Sequence, residues 1–348
     1  MTVAAARIAV VLFNLGGPEG PEGIRPFLES LFGDPAILAL PNLVRKPAAW
    51  VLAGSRLKAA RANYALMGGG SPLLSQTVAQ AASLETELCR LLAPARPKVF
   101  VAMRHAPPLT DETAAQVAAF DPDEIVLAPL YPQYSTTTAG SSLRAWKEGY
   151  RGRGASRAIC CWYDNPGLIE AHVELITGTW ERAGQPPVRL LFSAHGLPLR
   201  IVAGGDPYQW QVEATCAQVA ARLGPSWDWQ ICYQSRVGPM KWLGPSTPEA
   251  IVKAAADGLG VLVDPIAFVS EHVETLVELD HDYRRVASAA GAAPYLRAPA
   301  VAASAVFIAG LAGAVARALE RRWDGPDGAP CPTGLGRCGR AAVAEVAS

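Results

Sequence analysis

His195 is the first residue of this sequence whose surroundings point to chemistry. It follows the apolar run 190–194 and precedes Gly196, which is typical of a buried strand that ends in a tight loop. In open parallel α/β sheets, ligands bind outside the carboxyl ends of the strands, so this imidazole would face a ligand. Imidazole titrates near neutral pH and serves as a base or as a metal ligand. The alternative is a histidine whose ring only bonds nearby backbone.

The segment 270–283 carries a row of carboxylates that would suit a cation. The row consists of Glu271, Glu274, Glu278 and Asp282. These residues are three or four positions apart, so they share one face if the segment is a helix with Ser270 as its N-cap. Like charges in such a row repel one another unless a cation lies among them. A solvated acidic face is the alternative that the segment leaves open.

Two series of strands and helices must position these residues. Apolar runs predict strands at 8–13, 98–103 and 124–129, and then at 158–162, 188–192, 227–233 and 259–268. Helical periodicity predicts helices at 24–32, 47–66, 76–92, 110–120, 140–150, 166–183, 206–223 and 247–257. Strands that alternate with helices indicate parallel βαβ units. The sequence therefore predicts an α/β fold with two doubly wound lobes and a cleft between them.

The predicted domains follow from these two series. A Gly- and Arg-rich stretch at 151–156 is typical of a linker. It separates an N-terminal lobe, 1–153, from a C-terminal lobe, 154–298, that carries the histidine and the acidic row. Residues 299–348 are then a C-terminal helix and an extension with two cysteines.

Composition and charge exclude several classes of function. The 348 residues include 31 Lys and Arg and 31 Asp and Glu, so no basic excess indicates nucleic-acid binding. The loop 14–18 lacks the third glycine of a dinucleotide fingerprint and 68–71 lacks the lysine of a phosphate loop, so no nucleotide cofactor is expected. The absence of a secretory signal and the seven scattered cysteines predict a cytoplasmic location. The apolar segment 299–316 is interpreted as a packed helix rather than a membrane span.

Seven motifs that occur in order make residues 7–320 similar to the ferrochelatase family. They are the segments 14–18, 68–72, 131–135, 192–198, 233–239, 242–245 and 268–276. Ferrochelatases insert ferrous iron into a porphyrin. The fold that the resemblance implies is α/β, with two similar Rossmann-like, chelatase-type lobes, each a parallel sheet flanked by helices, and an active-site cleft between them.

The resemblance implies a lyase that makes protohaem from protoporphyrin IX and Fe2+, its two substrates, with release of two protons. His195 is similar to the family's catalytic histidine, and Glu274 to its partner carboxylate across the cleft. Which of the two takes the protons and which handles the metal is left open. Glu278 and Asp282 continue from Glu274 as metal-binding residues or as a relay for metal ions or protons. Imidazole and carboxylate together suit ferrous iron as transient ligands.

Further positions match the family's porphyrin site. Those expected to grip the macrocycle are Leu15, Ile24, Tyr64, Tyr131, Met240 and Trp242. Those expected to contact the propionates or to line the pocket are Arg56, Ser71 and Arg104. The alternative for the two arginines is an ordinary solvated surface.

The cysteines raise the question of an iron–sulfur cluster. Some ferrochelatases bind a [2Fe-2S] cluster through three cysteines beyond the catalytic fold, where this chain has only Cys331 and Cys338, and Thr136 stands where animal members have a further ligand. A cluster needs four ligands, normally thiolates. Cys160 and Cys161 would complete the set only if their predicted strand bends, because neighbours on a strand point to opposite faces. A flexible tail that carries cysteines is the alternative, and both stay open.

Other functions are compatible with parts of the sequence. A chelatase for coproporphyrin or for another metal would need the same site. A non-catalytic tetrapyrrole carrier would need the apolar cleft but neither the base nor the acidic row. A nucleotide-dependent oxidoreductase is disfavoured by the missing glycine fingerprint. A peripheral contact with the inner face of the membrane, and a monomeric or homodimeric state, are left open.

Overall fold

The computed structural model describes residues 6–236, 238, 240–320 and 331–340. Val237 and Pro239, from the motif at 233–239, lie outside the described residues. So do residues 1–5, and residues 321–330 and 341–348 of the predicted extension.

The first sheet consists of four parallel strands. In chain order they are β1 (Arg7–Asn14), β2 (Arg96–Met103), β3 (Glu124–Pro129) and β4 (Ala155–Ala158). Their order in the sheet is β2-β1-β3-β4. The side chains from Ala9 to Phe13 are fully buried, because helices cover both faces of the sheet. The helices of this part of the chain are α1 (Ile24–Gly33), α2 (Asn42–Leu66), α3 (Leu73–Leu91), α4 (Thr110–Phe120) and α5 (Ala139–Gly149).

The second sheet repeats this plan. Its strands are β5 (Val188–His195), β6 (Trp229–Gln234), β7 (Gly260–Asp264) and β8 (Tyr295–Arg297). They are parallel and lie in the order β6-β5-β7-β8. The associated helices are α6 (Pro166–Arg182), α7 (Leu199–Ala203), α8 (Tyr208–Leu223), α9 (Thr247–Ala256), a π-helix (Glu274–Tyr283) and α10 (Arg284–Ala290). The predicted fold class is confirmed.

Several predicted strands differ from the observed ones. The strand expected at 158–162 lies at Ala155–Ala158, because after Ile159 the chain turns and Trp162 donates its N–H to the Pro132 carbonyl over 3.0 Å. The strand expected at 259–268 stops at Asp264, since the proline that follows has no N–H for the sheet. The three-residue strand β8 was not predicted.

The acidic segment also departs from the expected helix. Ser270 is not its N-cap, because its hydroxyl donates to Gln80 Oε1 of α3 over 3.3 Å. The helix begins at Glu274 and has the wider π form, which is rare and often found at functional sites. Glu271 therefore precedes the helix and does not share its face.

The apolar segment at 299–316 forms α11 (Ala305–Leu319), as predicted for a packed helix. Phe307, Ile308 and Leu311 are buried in one core with β1, β3 and α3, so the end of the chain returns to the first sheet. Among the described helices, none has the length and apolarity needed to cross a bilayer. The domain boundaries at 153 and 298 stay a prediction.

Candidate active site

His195 is the last residue of β5, directly opposite Gln234 at the end of β6. Its Nδ1 lies 2.6 Å from the Gly196 carbonyl oxygen, which can only accept, so Nδ1 carries the proton of this bond. Nε2 is then the free nitrogen, and it lies 3.5 Å from Glu274 Oε1. The side chain is 41% exposed. The histidine is thus held by one ring nitrogen and offers the other as a base or a ligand.

Gly196 allows this loop to lie against β6. A β-carbon there would lie 2.8 Å from the Gln234 carbonyl oxygen and 3.3 Å from the ring of Trp242. Backbone cannot move aside as a flexible side chain can, so a larger residue would push the loop away. The same contact places the Trp242 ring next to the residue that follows His195.

Glu274 faces His195 from the first position of the π-helix. Its Oε2 is buried without a hydrogen-bond partner and lies 3.6 Å from His272 Nε2. Burial alone would raise the pKa of this carboxyl group, but the neighbouring His195 and His272 outweigh it and lower the pKa below its usual value. Glu274 is therefore ionised at neutral pH and has an oxygen available for a cation or a proton.

His272 belongs to the site and was missed in the sequence. It is buried, its Nδ1 lies 3.1 Å from the Ser270 carbonyl oxygen, and its ring packs on Phe268. A regular helix would have pointed residues two positions apart to different sides. Since the helix starts only at Glu274, the irregular backbone before it brings both side chains together. The sequence signal that could have indicated this contact is the short spacing of His272 and Glu274, two positions apart.

The remaining carboxylates have separate roles. Glu278 accepts hydrogen bonds from Ser235 N (2.9 Å), Ser235 Oγ (2.5 Å), Gln234 Nε2 (3.2 Å) and Tyr283 Oη (2.5 Å). It thereby ties the π-helix to the end of β6. Asp282 is half exposed, and its Oδ1 lies 3.0 Å from His281 Nδ1.

Glu271 faces away from the row, because Arg297 Nη1 holds its Oε1 over 2.6 Å. The predicted single stripe of four carboxylates is therefore wrong for this residue. As placed, the described residues contain no group of three or more His, Cys, Asp or Glu side chains that could hold a metal ion. Iron binding by His195, Glu274, Glu278 and Asp282 stays a prediction.

Three of the predicted porphyrin residues form a wall beside Glu274. Leu15, Ile24 and Tyr64 pack in one apolar cluster that also includes Val273, the residue before Glu274. Burial, together with the negative charge of Glu274, raises the pKa of Tyr64, so its hydroxyl stays protonated. Trp242 pairs with Pro198, in the loop that follows His195. Met240, two residues earlier, is 41% exposed.

The predicted polar contacts are more dispersed. Arg104 is engaged within the protein, since its Nη2 lies 2.8 Å from the buried Asp34 and its Nε donates to Ser141 Oγ over 2.7 Å. Arg56 is exposed on α2. The Ser71 N–H donates to the Pro18 carbonyl, and Tyr131 packs on the core around Trp146. Contact of Arg56, Ser71, Arg104 and Tyr131 with a porphyrin stays a prediction.

A second group of side chains, the cysteine cluster, consists of Cys160, Cys161, Cys331 and Cys338. Each thiol interacts with two others, and the contacts close a ring. Hydrogen bonds from Cys160 and Cys331 lower the pKa of Cys338, whereas burial and the other thiols raise that of Cys161. The adjacent Cys160 and Cys161 reach the same cluster because β4 ends before them, at Ala158.

Two parallel sheets with helices on their faces and a histidine at a strand end define an α/β protein of the chelatase type. SirB from Bacillus subtilis, solved with Fe3+, aligns with a TM-score of 0.50 over 92% of this chain and 99% of that chain, at 12% identity. A multi-domain protein from Deinococcus radiodurans, described as structurally similar to chelatases, gives a TM-score of 0.55 over 92% of this chain and 56% of its own, also at 12% identity. These likenesses show the fold.

The chain belongs to the ferrochelatase family. The ferrochelatase family model matches residues 7–319. The ferrochelatase of Phenylobacterium zucineum is 58% identical over 334 residues, which are 95% of this chain and 97% of the relative. That of Hyphomonas neptunium is 49% identical over 347 residues, 98% and 97% of the two chains.

The protein is therefore a metal chelatase, a lyase, whose substrates are a porphyrin and ferrous iron. The alternatives of a non-catalytic carrier and of an oxidoreductase are set aside.

Proposed function

We propose that this ferrochelatase inserts Fe2+ into protoporphyrin IX to form protohaem. The observation that carries the proposal is the pair formed by His195 Nε2 and Glu274 Oε1, 3.5 Å apart and bordered by the apolar wall of Leu15, Ile24 and Tyr64. Metalation breaks two pyrrole N–H bonds, and the electron pairs left on nitrogen bind the iron. The reaction therefore needs a base that takes the protons and an anion beside the entering iron, and His195 and Glu274 supply them at the edge of an apolar wall.

His195 is assigned as the base that takes the pyrrole protons. Its Nδ1 is committed to the Gly196 carbonyl, so Nε2 is the nitrogen that can accept a proton. The resulting imidazolium has the ionised Glu274 beside it as a stabilising charge. The carboxylates of Glu278 and Asp282 continue from Glu274 to the exposed surface and are assigned as a route for iron or for departing protons.

The surroundings favour a porphyrin with two propionates over one with four. Coproporphyrin has four carboxylates, each of which needs a cation or water when it is bound. Of the two candidate arginines, Arg104 is already paired with Asp34, and Arg56 is exposed. The vinyl groups of protoporphyrin suit the apolar wall, and a coproporphyrin chelatase is the alternative.

Anaerobic steady-state assays with both porphyrins at the same Fe2+ concentration test this choice. We expect kcat/KM for protoporphyrin IX to exceed that for coproporphyrin by about tenfold or more, the ratio expected if one carboxylate pair is left without cations. A preference for coproporphyrin would assign the chain to the alternative.

We further propose that the cysteine cluster binds a [2Fe-2S] cluster as a cofactor, although as placed its four thiols do not form a group that could hold a single metal ion. Four cysteine thiols are the number and type of ligands that such a cluster takes. Gln211 adds a donor of the kind found around cluster sulfurs, because its Nε2 lies 3.1 Å from Cys331 Sγ and 3.4 Å from Cys161 Sγ. Its Oε1 is fixed by the N–H of Tyr134. When bound, the group supplies a redox-active iron pair at the junction of the extension and the first sheet.

We expect Cys338→Ser to remove visible absorbance and about two irons per chain from protein purified without air, since one of four ligands is lost. Iron analysis and a visible spectrum measure this. Cys89→Ser is the matched control, because Cys89 is an exposed free thiol on α3. A colourless wild-type protein without bound iron would contradict the cofactor.

The exposed face of α2 supports a peripheral contact with the inner, cytoplasmic face of the membrane. Leu43, Trp50 and Val51 are 92%, 60% and 59% exposed. Trp50 and Val51 follow Leu43 by seven and eight positions, about two helical turns, and therefore lie on the same side of the helix as Leu43. Arg45 and Lys46 lie between them in sequence and provide charge for anionic lipids.

We expect the double variant Leu43→Ser/Val51→Ser to bind anionic vesicles about tenfold more weakly, because two apolar side chains no longer enter the interface. Cosedimentation measures the partition. Val252→Ser on α9 removes an apolar side chain that is 50% exposed elsewhere and serves as the control. Equal partition of both variants would refute this contact surface.

A further inference from the structure

A cavity of about 320 Å³, the arginine cavity, lies apart from the pair of His195 and Glu274. Three elements that are distant in sequence each contribute one arginine, and all three arginines are exposed: α5 contributes Arg144, α7 contributes Arg200, and the extension contributes Arg337. The rest of its lining is Pro35, Ala36, Ile37, Ala39, Thr136, Thr137 and Ile201. Among the residues that the structure describes, no acidic one lines it.

The charge of this cavity is not balanced by the protein. Several other arginines of the fold have carboxylate partners at 2.5–2.8 Å, such as Arg157 with Glu124 and Arg297 with Asp280. Within the described residues, Arg144, Arg200 and Arg337 have no carboxylate within 4.0 Å. Clustered guanidinium groups repel one another unless an anion lies among them.

Asp206, an acidic residue that bonds the lining residue Thr136, does not fill this role. Asp206 is buried, and its Oδ2 already accepts from Ser135 Oγ, Thr136 N and Thr136 Oγ1 at 2.8–3.1 Å. Its Oδ1 accepts from the N–H of Tyr208. Asp206 therefore holds the loop that carries Thr136, and its hydrogen bonds do not include any of the three arginines.

We propose that the arginine cavity binds a small free oxyanion that carries phosphate or carboxylate groups. The forked guanidinium group matches the paired oxygens of either group and keeps its charge at every physiological pH. The volume admits an ion or a small acid but not a porphyrin. The ligand class is thus a compact anion with two or more charged oxygens.

This site would also fasten the extension to the fold. Arg337 lies between Cys331 and Cys338, and its N–H donates to the Gly205 carbonyl over 3.1 Å. An anion held by Arg337, Arg144 and Arg200 together would join the extension to α5, which packs with the first sheet, and to α7, which follows β5 of the second sheet. Occupancy should therefore protect residues 331–340 from trypsin, which cleaves after arginine.

Calorimetric titration of the full-length protein at low ionic strength, with inorganic phosphate and with malate, tests the proposal. We expect one saturable site per chain, and about tenfold or greater weakening in Arg200→Gln and in Arg337→Gln, because each removes a charge-assisted hydrogen bond. Arg285→Gln, an exposed arginine on α10, should leave the affinity unchanged. Arg200→Lys keeps the charge and should retain part of the binding. It therefore distinguishes the loss of charge in Arg200→Gln from a loss of the fold.

Absence of saturable binding of either anion would overturn the proposal, as would equal affinities in wild type and the glutamine variants. Binding to vesicles of anionic phospholipid with no binding of free phosphate or malate would also overturn it, because the ligand would then be a lipid headgroup. Slower tryptic cleavage at 331–340 with phosphate in wild type but not in Arg337→Gln would support it.

Discussion

His195→Ala is expected to lower kcat for iron insertion by about a thousandfold and to leave the affinity for protoporphyrin almost unchanged. The variant removes the nitrogen that is assigned to accept the pyrrole protons, and general-base catalysis contributes about this factor. The apolar wall of Leu15, Ile24 and Tyr64 is untouched, so the macrocycle still binds. Anaerobic steady-state assays measure kcat, and quenching of porphyrin fluorescence measures binding.

Two results would contradict this role. A variant with near wild-type turnover would show that another group takes the protons. Equal loss of binding and turnover would instead assign the imidazole to holding the macrocycle.

Glu274→Gln is expected to lower kcat by about a hundredfold, the lower end of the range for acid–base groups. Glutamine has the same shape, so the start of the π-helix is kept and only the charge beside His195 Nε2 is lost. Wild-type kcat should fall as pH drops toward the pKa of Glu274, which lies below its ordinary value, because protonation removes the same charge. The variant should lack the part of this fall that protonation of Glu274 causes.

Parallel kcat–pH profiles of wild type and the variant test this expectation. Glu181→Gln is the matched control, because Glu181 is an exposed carboxylate at the end of α6. Glu274→Asp keeps the charge and should recover part of the rate. A fall of kcat at the lowest pH that is identical in wild type and Glu274→Gln would assign that fall to another group.

The architecture could be predicted because its strands carry simple signals. The runs 8–13 and 188–192 are buried on both faces, and their unbroken apolar character indicates parallel strands. The position of His195 after such a run placed it at the sheet edge. The run 158–162 misled the prediction, since its cysteines and tryptophan are buried as in a strand while the backbone has already left the sheet.

The details of the site depended on contacts that local patterns do not encode. The partnership of His272 with Glu274 needs the irregular backbone at 271–272, and Ser270 is diverted by Gln80, almost two hundred positions away. The π form of the acidic helix has the same residue types as an α-helix. The cysteine cluster joins segments about 170 positions apart, a convergence that spacing cannot reveal.

The return of α11 to the first sheet has a consequence for biosynthesis. Phe307, Ile308 and Leu311 fill the same core as β1 and β3, although the ribosome makes them almost three hundred residues after β1 and about 180 residues after β3. The half of the chain that emerges first therefore cannot seal its interior during translation, although domains commonly fold in order of their synthesis. It acquires its final layer only when α11 has left the exit tunnel, so nascent chains expose an apolar surface until then.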